Sequence, residues 1–526
     1  MAELRRDFLK SLTGLGALGT LGNANVFLGL NPLWAADAQV TPDVVRLSAE
    51  IEPLVRLIEE TPREKCFEMM GEQLRRGCSY RQFLGALFLA GIRNVNPQPP
   101  GFRFHCVFVI HAAHQLSLDA PVGERLLPLL WALDNFKASQ QRDENEGDFH
   151  LRPVRGKIPS ANQAWEELHR AMEAWDEERA DRAITALARS RGAHEVIEGL
   201  WRYGARDYRN IGHKAIFVAN AWRTLQTIGW QHAEPTLRSL ILGLLDFGVK
   251  EKVNGYAYED QCYLSNVGRA RQAIANLPAG WAEEGAGDVA AAKQILAAIR
   301  DAKTEPACRE TVDLMVEGKS RASSIWDAVH LAAGELMMRS PGILGVHTVT
   351  SVNALHYAFR VADKAETRLL LLLQGVGWMS QFASFMAQRD NFGGTDITKV
   401  EGVEIPATPE EATEEILALV SSDRTVAAQK AFRYAQVYSE PDGFQRAAQS
   451  LIFTKGRDVH DYKYAAAVFE DYHQVDPVWR PHMLATAVYN LCGSGLPDSE
   501  VMQRARAVAR PFSLGLSGPA PTLGLP

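Results

Sequence analysis

Along most of the chain the apolar residues recur at threes and fours, the spacing of one buried face on a helix. Alternating apolar and polar runs long enough for a strand are hard to find, so the pattern predicts an all-α fold. It predicts helices over 42–60 and over 63–75 continuing into 80–90, a hard break at 96–101 (N-P-Q-P-P-G), and a helical hairpin from Phe104 to Phe136. Residues 137–160, charged and polar, read as an exposed loop. Helical periodicity returns over 165–188 and 195–203, then in a second hairpin from Asp207 to Phe247. A looser section, 250–285, precedes short helices over 290–302 and 311–318. Ser324 to Asp327 supply a cap for a helix over 328–339, which Pro341 and Gly342 end. A third hairpin runs from Gly342 to Phe382, 388–410 read as a linker, and helices are expected over 411–421, 425–438 and around His460 and His482.

The three hairpins share one arrangement. His105 leads into His111–Ala112–Ala113–His114, followed by Leu126, Leu127 and Phe136. His213 leads into Asn220–Ala221–Trp222–Arg223, followed by Leu240, Leu244 and Phe247. His347 leads into Asn353–Ala354–Leu355–His356, followed by the leucine-rich run from Arg368 to Gln374 and by Phe382. In each copy a histidine opens a helix, a small-residue segment follows six or seven residues on, and a leucine-rich helix returns. Such recurrence is the signature of stacked helical hairpins, here forming one large helical domain around a central cavity.

Equivalent positions in stacked hairpins face the same side, so His105, His213 and His347 are expected to line one cavity. His460 is a fourth candidate, and Lys463, three residues on, shares its helix face. Neutral imidazoles are common ligands of redox-active first-row metals, and several of them with an oxygen donor suit iron, manganese or copper. The competing reading makes each histidine a hydrogen-bonded residue at a helix start. A second tier, His111 and His114 with His356, has Arg223 at the matching place in the second hairpin. A permanent guanidinium is a poor neighbour for a metal, so this tier reads as polar lining. His330 and Glu335, five apart, do not share a face and read as structural.

Composition narrows the class. The 526 residues, 46% hydrophobic and 23% charged, suit a soluble globular chain, and the formal charge of −7 argues against nucleic acid or an anionic membrane as the main partner. The six cysteines show neither zinc spacing nor a C-x-x-C pair, and they read as buried small hydrophobes. No dinucleotide fingerprint, P-loop, H-E-x-x-H or nucleophile elbow is present. At the N-terminus Arg5–Arg6–Asp7–Phe8–Leu9–Lys10 resembles a twin-arginine export signal, with Ala36–Asp37–Ala38 as the cleavage site. The expected organisation is a signal over 1–38, a helical domain over 39–510 and a disordered Gly-, Pro- and Ser-rich tail over 511–526. The mature chain is expected to carry no membrane span and to be periplasmic or extracellular, with the twin-arginine export machinery as a partner.

Several phrases resemble the bacterial branch of the questin oxidase-like family. Val346–His347–Thr348–Val349–Thr350 followed by Asn353–Ala354–Leu355 is similar to its "LHAVT…AL" phrase. His213–Lys214–Ala215–Ile216 continuing through Ala219 and Ala221 resembles its "FHGLIR" phrase, and Asp458–Val459–His460–Asp461–Tyr462–Lys463 its "DEHAIK" phrase. Phe104–His105 corresponds to the family's N-terminal histidine. Gly212 stands where the second phrase has an aromatic residue, and Phe217 where it has arginine. The resemblance implies an all-helical oxygenase acting on an aromatic or quinone-like small molecule. It implies a mononuclear non-haem iron(II) held by His105, His213, His347, His460 and a carboxylated Lys463, with O2 as co-substrate. Two other readings stand beside this: a helical-repeat binding or scaffold protein with structural histidines, and an enzyme using the histidines for metal-free acid–base work.

Overall fold

The computed structural model describes residues 44–98, 105–246, 260–283, 285, 287–389, 392–438 and 441–514, so the expected signal lies outside the described residues. Among the described residues there are 22 α-helices, a few single 3₁₀ turns and no strand, which makes the fold all-α. The described residues from Val45 onward form one compact unit with a single contiguous apolar core.

Eight helices position the histidines. The first hairpin is α1 (His105–Asp119) and α2 (Leu127–Glu146), and the second is α3 (His213–Ile228) and α4 (Ala233–Leu244). Helix α5 (Ala322–Arg339) precedes the third hairpin, α6 (Ile343–Val361) and α7 (Ala365–Met386), and α8 (Val459–Gln474) lies near the C-terminus. Helix α1 packs on α3, α3 on α6, α6 on α8, and α8 back on α1, so the four histidine-bearing helices close into a ring. Each carries its histidine in or just past the first turn, so four helix N-termini meet at one place. Helices α6 and α7 are apolar almost all round and correspondingly buried on nearly every face. Helix α7 is long and apolar enough to cross a membrane, but most of it lies inside this core.

The glycine before His213 has a geometric reason. Gly212 has φ +87°, and a Cβ there would stand 2.3 Å from Cβ of Ser351 on α6. Only glycine relieves both constraints. The contact lets α3 and α6 approach closely at the level of their histidines.

The structure corrects several expected boundaries. Residues 137–146 continue α2 rather than forming a loop. Their polar side chains are used inside the fold: Lys137 Nζ donates to the Ile58 and Glu59 carbonyls at 3.2 and 2.7 Å, and Asp143 accepts from the Asn96 and Phe149 amides at 2.8 and 2.7 Å. The helix expected from residue 42 starts at Glu52, with Pro53 in its first turn where the missing N–H costs nothing. The run 165–188 is two helices, Ala164–Ala174 and Glu177–Ser190, parted by Trp175 at φ 57° and by Asp176, which caps the second. Ser324 is no cap: α5 starts at Ala322, and the Ser324 hydroxyl accepts from the Asp288 amide at 2.7 Å. The tail expected from 511 begins inside a helix, Glu500–Leu514, whose buried Met502, Ala505 and Ala509 carry it past Pro511.

Candidate metal centre

The ring of helices brings His105, His213, His347 and His460 together although they are dispersed along the sequence. Ring centroids of neighbouring pairs lie between 4.4 Å (His213–His347) and 6.1 Å (His105–His347). Nε2 of His213 is 3.0 Å from Nε2 of His105 and 2.9 Å from Nε2 of His347. Donor nitrogens of His105, His347 and His460 all fall within 4.8 Å of one another.

The protons on two of these rings follow from their partners. Nδ1 of His213 lies 2.6 Å from the Asn210 carbonyl, and Nδ1 of His347 lies 2.6 Å from the Ile343 carbonyl. A carbonyl oxygen only accepts, so each Nδ1 carries the hydrogen. Burial, the largest cause, holds both rings well below their ordinary pKa, so each is neutral with a bare lone pair on Nε2. Those lone pairs face each other at 2.9 Å with no hydrogen between them. Such a contact is repulsive unless a cation sits beside it. Two imidazoles bound at right angles to one metal, at about 2.1 Å each, put their nitrogens about 3.0 Å apart. The donor set therefore fits a single cation.

His460 is oriented by its own helix cap. Asp458 accepts from the His460 amide at 2.8 Å and from His460 Nδ1, while the Asp458 amide donates to Asp461 at 3.1 Å in a reciprocal cap. Nε2 of His460 is buried without a hydrogen-bond partner. A carboxylate behind the imidazole fixes the ring and its tautomer, as behind metal-bound histidines. Asp458 was not singled out in the sequence, although D-x-x-D at a helix start is a readable cap.

Lys463 lies near enough to the histidines for its charge to add to burial in holding the His105 and His213 rings low. It is 4% exposed, its Nζ has no hydrogen-bond partner, and that atom lies 5.4 Å from the centroid of Phe108. Phe217 packs on Phe108 at 5.5 Å and extends the apolar wall. Burial pulls the amine down to about 7, partly opposed by the Asp458 carboxylate. Because its ordinary value is 10.5, the cost of burying the charged amine is full below pH 7 and is relieved as pH rises from 7 towards 10.5. Lys463→Met is accordingly expected to stabilise the metal-free protein at pH 6 by roughly 3–5 kcal/mol, with the gain shrinking towards pH 9. Denaturant melts across that range measure it, and a gain that grows with pH would contradict it.

The second tier divides. His111 and Arg223 border a small cavity that also touches Lys463. His114 instead bonds Tyr80 and Thr227 at 3.0 and 3.2 Å, and His356 bonds His330 at 2.8 Å under the stacked ring of Trp326. Glu335 pairs with Arg300 and Arg339 away from the centre. No family model, curated protein or solved structure matches the chain.

Proposed function

We propose that the protein is a metal-dependent oxidoreductase of the oxygenase type, exported by the twin-arginine route, with a mononuclear iron held by His105, His213, His347, His460 and Lys463. The observation that carries the metal is the pair of bare imidazole nitrogens facing each other at 2.9 Å. The choice of iron and of an aromatic or quinone-like substrate rests on the family resemblance. When bound, iron(II) would supply a redox-active site for dioxygen.

The chain's own residues do the rest. The Asn210 and Ile343 carbonyls and the Asp458 carboxylate hold three rings with Nε2 inward. Four neutral imidazoles leave a divalent charge uncompensated in a dry setting, and the positive ends of four helix dipoles add to it. One anionic ligand offsets both. A neutral Lys463 amine can supply it by attacking CO2: the N–C bond forms, one N–H proton leaves to solvent, and the carbamate presents an oxygen. The cavity beside Lys463, about 20 Å³, is too small for an aromatic ring. A ring-sized substrate would approach the metal from another side.

Elemental analysis of protein purified without a histidine tag is the test. About one iron per chain is expected. Lys463→Ala is expected to lose it, Lys463→Glu to recover part, and added bicarbonate to raise the metal content of the wild type but not of Lys463→Ala. A fully metallated Lys463→Ala protein would remove the lysine from the site. A wild type that takes up no metal would leave the histidines structural or acid–base groups.

A further inference from the structure

The cavity beside Lys463 is walled by His111 on α1, Asn220 and Arg223 on α3, and Asn353 on α6, with Gln115 at its edge. Its polar groups are held from behind. Both terminal nitrogens of Arg223 pair with Glu470 at 2.9 Å, and its guanidinium stacks 3.7 Å over Tyr357. The Asn353 amide donates to Glu470 at 2.9 Å and to Asp471 at 2.8 Å, and Gln115 reaches Glu470 at 3.4 Å. The side chains are therefore fixed while part of their donor capacity is unused. His111 is only 7% exposed, and neither of its ring nitrogens has a hydrogen-bond partner. Nε of Arg223 and Nζ of Lys463 are buried without partners as well.

Buried polar atoms are almost always hydrogen-bonded, and an unmade bond costs about 1–3 kcal/mol. Three unpartnered nitrogen-bearing side chains around one cavity thus specify an occupant. Arg223 Nε can only donate and His111 offers one N–H, so the occupant must present acceptors. The volume of about 20 Å³ exceeds what one water needs but limits a ligand to a few atoms. Glu470 neutralises Arg223 from the far side, leaving N–H groups rather than a bare charge towards the cavity.

We infer that this cavity is a binding site for a small oxyanion of the formate or bicarbonate class, held by His111, Arg223 and Asn220 against the Lys463 side chain. The site adjoins the candidate metal centre but needs no metal.

The probe is formate, which cannot carboxylate a lysine. Calorimetric titration of the chelated full chain in carbonate-free buffer, where Lys463 carries no carbamate, is expected to show one saturable site. His111→Leu is expected to weaken formate at least tenfold while melting temperature and metal content stay at wild-type values. Gln115→Leu, at the cavity edge, provides a second reading if His111→Leu folds poorly, with an expected loss of about threefold or more. Bicarbonate is expected to compete with formate, whereas benzoate, bearing the same carboxylate on a ring, is expected not to. Benzoate competition would show that the site takes the carboxylate end of a larger acid and would overturn the small-ligand assignment. Absence of saturable formate binding to the wild type, or equal affinity in the folded variants, would show that the cavity holds water only.

Discussion

His213→Leu is expected to strip the protein of metal while changing the stability of the metal-free fold by no more than about 1–2 kcal/mol. His213 places Nε2 at 3.0 Å from that of His105 and 2.9 Å from that of His347. A cation beside those atoms loses the ligand that stands next to both His105 and His347. In the metal-free protein the same substitution removes the facing lone-pair contact with His347, and leucine replaces a ring that is only 3% exposed. Against this stands the Asn210 carbonyl, which loses the ring N–H at 2.6 Å and keeps the backbone amide of residue 213 at 3.0 Å. The two terms oppose each other, so melting of the chelated variant should stay near that of the chelated wild type. Metal content is expected to fall from about one per chain to under roughly a tenth. A structural histidine would give the reverse: a large drop in stability and no change in metal content. Retained metal with intact folding would count against His213 as a ligand.

The part of this arrangement legible in the sequence is the part that repeats. A histidine at the start of a helix is unremarkable once, but the same placement ahead of three small-residue segments indicated that His105, His213 and His347 share a side, and the ring of α1, α3, α6 and α8 brings them together. His460 belongs to no such hairpin; the local feature that marks it is Lys463, three residues on and on the same helix face. What remained hidden is tertiary. Lys137 and Asp143 lie in a run that reads as solvated loop, yet both are buried on backbone partners, Lys137 on the Ile58 and Glu59 carbonyls and Asp143 on the Asn96 and Phe149 amides. Trp175 ends a helix in a left-handed conformation that few non-glycine residues adopt, and no local signal announces it. The carbonyls of Asn210 and Ile343 decide which imidazole nitrogen faces inward, and backbone oxygens have no letter in a sequence. His111 illustrates the limit from the other side. Its place in the repeat was plain, but its lack of any hydrogen-bond partner is visible only once the surrounding helices are in position.

Asp207→Asn is expected to destabilise the protein by about 3–5 kcal/mol and to weaken metal binding about 10–100-fold in the fraction that folds. Asp207 precedes α3 by a short loop, and its side chain is fully buried against the equally buried Lys214 ammonium. Lys214 also donates to the Asp246 carbonyl at 2.7 Å, and Arg209 stands 3.5 Å from Asp207 and 2.6 Å from Asp260. Arg206, in the same loop, donates to the Met172 carbonyl at 2.6 Å and stacks 3.6 Å over Trp175. These contacts pin the loop from 205 to 212, which contains Asn210, the residue that fixes the His213 tautomer. Asparagine keeps the shape but leaves the Lys214 cation in the interior without its anion. Removing one member of such a pair costs far more than removing both. Asp207→Leu with Lys214→Met should therefore regain most of the stability that Asp207→Asn loses, as read by urea denaturation of the metal-free proteins. Metal affinity should recover only as far as the loop returns Asn210 to His213, so the double variant separates the energy of the pair from its effect on the centre. If Asp207→Asn lost less than about 1 kcal/mol and bound metal normally, the loop would be held by the Arg206 and Arg209 contacts alone, and the buried pair would have no part in orienting His213.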